Sequence, residues 1–299
     1  MKVLITGATG NLGCDLCKEF SAEGDVAGLV RGNRDAKLCR ASEILAADIT
    51  DRDSVIRIVR EFKPAIVINS AAIADVDFCE LNPEQAFAVN AEGAKNVADA
   101  AAAAGVLLIH ISTDYVFDGE KGSAYTEEDK PNPVSVYGDS KLAAEDYIRS
   151  NSGRYIIIRS SWLFGGCGKN FVDFVVDAAK NGEKIKAVYE KSGSPTYTVD
   201  LAKAIFDLAK KMKEEMAPSG IYNITNAGVC SRYEFAKEIL DIRGLKAEVA
   251  AITAREAGGP AARPKLSALD NTKIGKVLGY KLRHYREACK DYLNNKKRR

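Results

Sequence analysis

Short apolar runs alternate with longer amphipathic stretches through the first half of the chain. The runs are rich in Val, Ile and Leu and occupy residues 3–6, 26–30, 44–47, 65–69, 106–111 and 155–159. Between them, helical periodicity covers residues 53–62, 83–104 and 140–149. This alternation is typical of βα units around a buried parallel sheet. We therefore predict an α/β fold with a doubly wound parallel sheet.

The alternation weakens after about residue 162, where glycine and proline become frequent. They cluster at residues 165–166, 193–195, 218–220 and 258–260. We predict a first domain over residues 1–162 and a smaller C-terminal lobe over residues 163–299. The helical segment 200–215 and the strand-like segment 221–225 are expected to return to the first domain.

Composition narrows the class of ligand. The chain has 299 residues, 46% of them apolar, with 43 basic and 41 acidic residues. This balance creates no broad field that would attract nucleic acid or an anionic membrane, so a small phosphorylated ligand fits better than a polymer. No segment approaches about 18 uninterrupted apolar residues, and the N-terminus does not resemble a signal peptide. We expect a soluble, cytoplasmic protein with no nucleic-acid or membrane partner.

Seven cysteines are scattered along the chain, an odd number that favours reduced thiols over a disulfide framework. Cys14 and Cys17 have the spacing of a redox pair. They follow a glycine loop where a helix should start, and no second metal-spaced pair accompanies them, so we favour two ordinary positions on a helix. No metal site is predicted.

A glycine-rich segment follows the first predicted strand. It reads Gly7-Ala8-Thr9-Gly10-Asn11-Leu12-Gly13, and helical periodicity comes next. Glycines at a strand-to-helix turn let the backbone approach a pyrophosphate, which the helix N-terminus binds. The position supports a Rossmann-type fold and a dinucleotide site formed by Gly7, Gly10, Asn11, Leu12 and Gly13, although an ordinary glycine turn is the alternative.

The end of the second strand bears on the choice of cofactor. An NAD site usually has an acidic residue there, whereas this chain has Arg31, with Arg34 nearby. Basic side chains can pair with a 2′-phosphate, so NADP(H) is preferred and NAD(H) remains possible. Both arginines could instead be solvated loop residues. Asp48 and Ile49, at the end of the third strand, are expected to contact the adenine.

Three residues form a candidate proton-delivery set. Tyr137 and Lys141 are four residues apart and lie on one helix face, and Thr113 ends the fifth predicted strand. A tyrosine has a pKa of about 10, and a nearby positive charge favours its phenolate. Tyr and Lys at this spacing are common on surfaces, but a hydroxyl at the carboxyl end of a parallel strand makes a catalytic site the better interpretation.

With these motifs, the chain resembles the extended short-chain dehydrogenases/reductases, and within them the dTDP-4-dehydrorhamnose reductase family. The resemblance spans nearly the whole sequence. It includes the segments 7–13, 69–72, 112–119, 137–145, 159–164, 170–172, 193–196 and 263–269, together with Val76, Asp77, Glu80 and Asn90. The later segments are the more specific ones, because the glycine loop and the Tyr/Lys pair belong to the whole superfamily.

The resemblance implies a reductase that transfers hydride from NADPH to the C4 keto group of dTDP-4-dehydro-L-rhamnose, giving dTDP-L-rhamnose. Tyr137 would then be the general acid, Thr113 would hydrogen-bond the same carbonyl, and Lys141 would hold the nicotinamide ribose. Further cofactor contacts are implied at Ala71, Ala72 and Asn90. The implied substrate-binding residues are Val76, Thr113, Tyr115, Phe117, Trp162 and Arg263. The expected partner is this small nucleotide sugar, with a homodimer possible.

Some features depart from the family or leave alternatives open. Residues 72–75 read Ala-Ile-Ala-Asp, where relatives usually carry an aromatic or His followed by Thr, so substrate contacts can differ. Some relatives hold magnesium at a dimer interface, and Asp15 occupies a comparable position.

The closest alternative enzymes act on the same scaffold. Dehydratases of this superfamily typically have Asp-Glu after the threonine, whereas this chain has Asp114-Tyr115, which argues against dehydration. An epimerase, and a regulatory subunit like that of methionine adenosyltransferase, remain alternatives.

Overall fold

The structure, a computed structural model, describes residues 1–32 and 39–297. Its strands are β1 (Val3–Thr6), β2 (Val26–Val30), β3 (Glu43–Ala46), β4 (Ile66–Asn69), β5 (Leu107–Thr113), β6 (Tyr155–Ser160), β7 (Leu163–Phe164), β8 (Ile185–Val188), β9 (Ser192–Gly193), β10 (Thr196–Tyr197), β11 (Gly220–Asn223), β12 (Cys230–Ser231) and β13 (Val249–Ile252). Its helices are α1 (Asn11–Phe20), α2 (Arg52–Phe62), α3 (Val76–Leu81), α4 (Pro83–Phe87), α5 (Ala94–Ala103), α6 (Val136–Asn151), α7 (Phe171–Lys180), α8 (Thr198–Lys213), α9 (Arg232–Arg243), α10 (Ala254–Ala257), α11 (Thr272–Leu278) and α12 (Tyr285–Lys297). A π-helical segment (Ala88–Gly93) joins α4 to α5.

Within the described residues, seven strands form one parallel sheet in the order β11-β6-β5-β4-β1-β2-β3. Every residue of β1 and β4 is buried, as expected for central strands with helices on both faces. The chain winds outward in opposite directions from β1, which leaves a crevice at the carboxyl ends of β1 and β4. The predicted doubly wound fold is confirmed.

Helices cover both faces of the sheet. α1 and α8 pack together on one face, where the Phe20 and Phe206 rings meet edge to face with centroids 5.1 Å apart. α2, α5 and α6 cover the other face around a second apolar cluster that includes Val97 and Ile148. In the part of the chain that the structure describes, no helix combines the length and apolar character needed to span a membrane.

The second half of the chain contributes to two cores. α7, α9 and α12 pack with β8 around an aromatic cluster that includes Phe164, Phe235 and Tyr285. β11 instead pairs with β6 in the main sheet, and α8 packs against α1. The strand at residues 220–223 therefore completes the first sheet. The division of the chain at residue 162 stays a prediction.

Two cysteines correct the prediction that all seven are reduced thiols. Cys14 and Cys167 form a disulfide, with Cα atoms 6.1 Å apart, although 153 residues separate them. The loop containing Cys167 lies on the first turn of α1, where the Gly168 backbone nitrogen donates a hydrogen bond to Asn11 Oδ1 at 2.6 Å. Sequence spacing does not reveal this contact. Cys17 is buried within α1 and is not in this disulfide.

Candidate active site

The glycine turn lies between the end of β1 and the start of α1. Gly7 has φ +64°, and a Cβ atom there would lie 2.7 Å from the backbone nitrogen of Ala71. A Cβ atom on Gly13 would lie 2.1 Å from the carbonyl oxygen of Gly7, to which the Gly10 backbone nitrogen also donates a hydrogen bond of 2.9 Å. Because side chains are excluded, a ligand can approach the N–H groups of the first turn of α1. The turn therefore fits a dinucleotide pyrophosphate.

A cavity of about 320 Å³ extends from this turn to the ends of β2 and β3. The predicted cofactor residues that line it are Gly7, Gly10, Arg31, Asp48, Ile49, Ala71 and Ala72. Arg31 is exposed and directly follows β2, and its contact with a 2′-phosphate stays a prediction. Arg34 lies outside the described residues. This cavity has the position expected for the adenosine half of the cofactor.

A second cavity of about 420 Å³ adjoins the first, with which it shares Gly10, Ser70 and Ala72. The other predicted residues that line it are Asn11, Leu12, Gly13, Val76, Thr113, Tyr115, Tyr137, Lys141 and Trp162. Cofactor and substrate candidates therefore share one continuous cleft.

The three predicted catalytic side chains lie together in this second cavity. Ser135 caps the start of α6, so Tyr137 and Lys141 are one helical turn apart near the end of β5. The Tyr137 and Thr113 side chains are hydrogen-bonded. Lys141 Nζ donates to the carbonyl oxygen of Ile111 at 2.6 Å. The cluster thus brings a phenol, a hydroxyl and an amine beside the dinucleotide turn.

Burial controls the pKa values of this cluster. It raises the pKa of Tyr137 above the ordinary value, although the hydrogen bond between the Tyr137 and Thr113 side chains acts in the other direction. It lowers the pKa of Lys141 to about 8, although the Glu145 carboxylate acts in the other direction. The expected lowering of the Tyr137 pKa by a nearby positive charge is therefore wrong for this structure, because loss of solvation dominates. A phenol with a raised pKa stays protonated, as a general acid requires.

Asp114 is a site residue that the sequence interpretation missed as a functional group. It is buried at the end of β5, where its Oδ1 accepts a hydrogen bond from the Thr113 hydroxyl at 3.1 Å. Its Oδ2 has no hydrogen-bond partner among the described residues. Burial raises the pKa of Asp114 to about 7, while hydrogen bonds from Ser267 and Thr113 act in the opposite direction. Its position directly after Thr113 was the available signal.

A second missed residue is Arg232, at the start of α9. Its guanidinium carbon lies 3.9 Å from the Trp162 ring centroid and 4.6 Å from that of Phe171. It lines the same cavity as Thr113, Tyr137 and Lys141. No motif marks this position, because only the packing of α9 beside Trp162 brings Arg232 to the cleft. Tyr115 also lines this cavity, and its ring meets the Tyr137 ring edge to face, with the ring centroids 5.8 Å apart.

Arg263 lies beside the cleft but is not among the residues lining either cavity. Its Nη2 donates to Asp77 Oδ2 at 2.7 Å, and its side chain also hydrogen-bonds Tyr115. This pairing holds the segment around residue 263 against α3. The guanidinium is partly exposed and therefore accessible to an anion entering the cleft.

Two predicted contacts are corrected by the structure. Phe117 is fully buried, stacked on Tyr125 with centroids 4.1 Å apart, so it belongs to the core and not to the substrate pocket. Asn90 is also buried and lines neither cavity. Its side chain hydrogen-bonds the backbone of Ile73 and the hydroxyl of Ser140. It therefore supports the loop beside the predicted cofactor site.

A proton-delivering cluster beside a dinucleotide turn, in one cleft at the carboxyl ends of the parallel strands, is the arrangement of the extended short-chain dehydrogenases/reductases. The chain is therefore a nicotinamide-dependent oxidoreductase in this class. A sequence model of the RmlD substrate binding domain matches residues 1–298. The chain belongs to this family, the dTDP-4-dehydrorhamnose reductase family.

Several relatives are similar over almost their whole length. The spore coat polysaccharide biosynthesis protein SpsK of Bacillus subtilis is 37% identical, with 99% of this chain and 98% of the relative covered. The dTDP-4-dehydrorhamnose reductase of Aggregatibacter actinomycetemcomitans is also 37% identical, with 97% of each covered. The crystal structure of the Bacillus anthracis dTDP-4-dehydrorhamnose reductase in complex with NADP has a TM-score of 0.88 and 35% identity, covering 98% of this chain and 99% of that one.

Proposed function

We propose that this protein reduces the C4 keto group of dTDP-4-dehydro-L-rhamnose and releases dTDP-L-rhamnose. The observation that carries this proposal is the grouping of Thr113, Tyr137 and Lys141 in a cleft continuous with the dinucleotide turn. The substrate assignment is supported by relatives named dTDP-4-dehydrorhamnose reductase, which match the chain over nearly its full length.

The glycine turn and Arg31 would hold the cofactor. NADPH, when bound, supplies the hydride that reduces the C4 carbon. The first turn of α1 would bind the pyrophosphate, and Arg31 would bind the 2′-phosphate that distinguishes NADPH from NADH. NADP(H) is preferred for this reason, with NAD(H) as a weaker alternative. The NADP complex of the Bacillus anthracis relative supports the preference.

The catalytic cluster would supply the proton. Tyr137 donates its phenolic proton to the C4 oxygen as negative charge develops there, and the Thr113 hydroxyl hydrogen-bonds the same oxygen. Lys141 orients the nicotinamide ribose and stabilises the phenolate that remains on Tyr137. The position of each side chain in the cleft supports these roles.

The far side of the cleft would bind the nucleotide sugar. Trp162 and Val76 offer apolar surface to the deoxysugar, while Tyr115 lies between the sugar site and Arg263. Arg232 and Arg263 both approach Tyr115, and their guanidinium groups suit the oxygens of a diphosphate. The proposed diphosphate site thus includes Arg232, which the sequence did not suggest.

The cellular setting is a further part of the proposal. A cytoplasmic protein that acts on a small nucleotide sugar, without nucleic acid or membrane, fits the near balance of charge. A homodimer is compatible with this function. Light scattering of the purified protein measures the oligomeric state, and cell fractionation measures the location.

The function is tested by supplying NADPH with dTDP-4-dehydro-L-rhamnose and following the loss of NADPH absorbance. The product is identified by mass spectrometry and by comparison with authentic dTDP-L-rhamnose. The matched control substrate is the UDP-linked form of the same sugar. We expect rapid turnover of the dTDP substrate. NADPH that is not oxidised with any keto-sugar nucleotide, together with recovery of a stoichiometric synthetase partner from cells, would favour a regulatory subunit instead.

A further inference from the structure

His110 is a fully buried titratable residue to which the proposed mechanism gives no role. It lies in the middle of β5, in the otherwise apolar stretch of residues 107–111, and its exposed fraction is 0%. Its Nε2 is 3.2 Å from Nζ of the catalytic Lys141. Its Nδ1 is 3.2 Å from the side-chain nitrogen of Asn69 on the neighbouring strand. Both ring nitrogens are therefore engaged.

The contacts of His110 continue to the glycine turn. Strand register places His110 opposite Asn69, and Asn69 opposite Thr6, so a polar row crosses β5, β4 and β1. The Thr6 hydroxyl donates to Asn69 Oδ1 at 2.6 Å and accepts a hydrogen bond from the Ala71 backbone nitrogen at 3.2 Å. Thr6 directly precedes Gly7. The row therefore connects the catalytic lysine with the turn that would bind the cofactor.

A neutral imidazole suits this position. Burial lowers the pKa of His110 well below its ordinary value, and the charge of Lys141 acts in the same direction. The neutral ring has one N–H group and one accepting nitrogen, and its tautomer decides which of them faces each neighbour. Nε2 can accept a hydrogen bond from the ammonium form of Lys141, or donate one to the neutral amine. With Asn69 Oδ1 bonded to Thr6 and Asn69 Nδ2 facing Nδ1, the ring hydrogen lies on Nε2 and is donated to the neutral amine. The ammonium form needs the other tautomer, in which the Asn69 amide turns so that its oxygen accepts from Nδ1–H.

The other charged groups near Lys141 leave His110 as its partner on the sheet side. Glu145 lies one turn further along α6, and its carboxylate is already bound by Arg159 and by the Ser112 hydroxyl. Tyr137, one turn earlier on α6, is hydrogen-bonded to Thr113. From β5, Nζ meets the Ile111 carbonyl oxygen and His110 Nε2.

We propose that His110 is a positioning residue for the reaction: its ring holds the amino group of Lys141 at the cleft and, through Asn69 and Thr6, fixes that group relative to the glycine turn. The importance of this role for turnover rests on the proposed reductase function. The hydrogen-bonded arrangement itself exists in the protein without substrate.

Two amide substitutions test the contacts of the two ring nitrogens of His110 separately. The side-chain amide of Gln extends about as far as Nε2 and can still meet Lys141, whereas the shorter Asn reaches only the position of Nδ1 and meets Asn69. We expect His110→Asn to lower kcat/KM about tenfold or more, and to shift the basic limb of the pH profile to lower pH, because the ammonium form of Lys141 loses an acceptor. His110→Gln keeps the contact with Lys141 and loses the one with Asn69, so its kcat/KM should fall less, by about threefold.

The other histidine of the chain provides the control. His284 lies outside the cleft, beside Tyr285, and His284→Gln should leave both the rate and the pH profile unchanged. If His110→Asn and His110→Gln lose the same activity, or if neither loses any, the positioning role is wrong.

A spectroscopic measurement tests the arrangement without turnover. Long-range ¹H–¹⁵N spectra of the unliganded parent contain only the two histidine rings, and His284→Gln assigns them. We expect His110 to stay neutral through the pH range in which a free imidazole takes up a proton, and to change its tautomer as Lys141 loses its proton near pH 8. A His110 ring that becomes an imidazolium near pH 6.5, or that keeps one tautomer throughout, overturns the proposal. Failure of the proposed function would leave this result intact, because it needs no substrate.

Discussion

Arg159 and Glu145 form a fully enclosed ion pair between β6 and α6. Arg159 Nε lies 3.0 Å from Glu145 Oε1, Arg159 Nη2 lies 2.6 Å from Oε2, and each side chain is only 1% exposed. The Ser112 hydroxyl also donates a hydrogen bond to Glu145 Oε1, at 2.5 Å. Because Glu145 is one turn from Lys141, this pair fixes the catalytic helix against the sheet.

Replacing Arg159 with Leu should strongly destabilise the fold. The change leaves the Glu145 carboxylate buried without its charged partner, which costs about 3–5 kcal/mol. Urea unfolding measures the difference. The control is Arg57→Leu, which removes the exposed pair of Arg57 with Glu61 and should change the free energy of unfolding by less than about 1 kcal/mol. Similar small losses for both variants would contradict the structural role of the buried pair.

Reduction of the Cys14–Cys167 disulfide should also lower stability. A crosslink over 153 residues restricts the unfolded chain by roughly 5 kcal/mol in the chain-entropy treatment. We expect dithiothreitol to lower the thermal midpoint of the parent, and Cys167→Ser to lower it similarly. The thermal midpoint of Cys167→Ser should then be insensitive to dithiothreitol. Peptide mapping without reductant checks the pairing, and a parent that contains only reduced thiols would contradict it.

Cofactor preference should depend on Arg31. In Arg31→Ala, kcat/KM for NADPH should fall about tenfold or more while that for NADH changes little, because only NADPH carries the 2′-phosphate. Arg40→Ala provides a control, since Arg40 lines a separate cavity beside α12. An unchanged NADPH to NADH ratio in Arg31→Ala would remove this residue from the cofactor site.

Asp114 should make stability depend on pH. Burial raises its pKa to about 7 in the folded protein, above the usual value of 3.8. The folded state therefore holds a proton that the unfolded state releases, so stability is lost as the pH rises from about 4 to 7. Asp114→Asn should remove this loss.

The comparison for Asp114 uses urea unfolding at pH 5 and pH 8. Relative to the parent, Asp114→Asn should gain stability on going from pH 5 to pH 8, by roughly 3 kcal/mol at most, because part of the loss occurs below pH 5. The difference between the two proteins would be the same at both pH values if Asp114 were an ordinary ionised carboxylate.

The sequence predicted the elements whose environment is uniform along their length. β1 and β4 lie between two layers of helices, so their residues are apolar without interruption and are recognisable as strands. The glycine turn was equally recognisable from the sequence, because Gly7 and Gly13 occupy positions where the backbone leaves no room for a side chain.

What the sequence did not predict depends on contacts between distant segments. Phe117 follows a strand end, where an aromatic ring suits either a pocket or the core, and only its stacking on Tyr125 decides between them. Arg232 reaches the cleft because α9 packs there, and Cys167 meets Cys14 because its loop lies on α1. Local periodicity contains no information about such neighbours.

The most direct test of the central claim is the kcat of Tyr137→Phe with NADPH and dTDP-4-dehydro-L-rhamnose. The substitution keeps the aromatic ring and removes the phenolic hydroxyl, whose proton is proposed to go to the C4 oxygen. We predict a fall in kcat of about 100-fold or more, with NADPH binding, followed by fluorescence titration, within about threefold of the parent. Full retention of kcat would contradict the assignment of Tyr137 as the general acid.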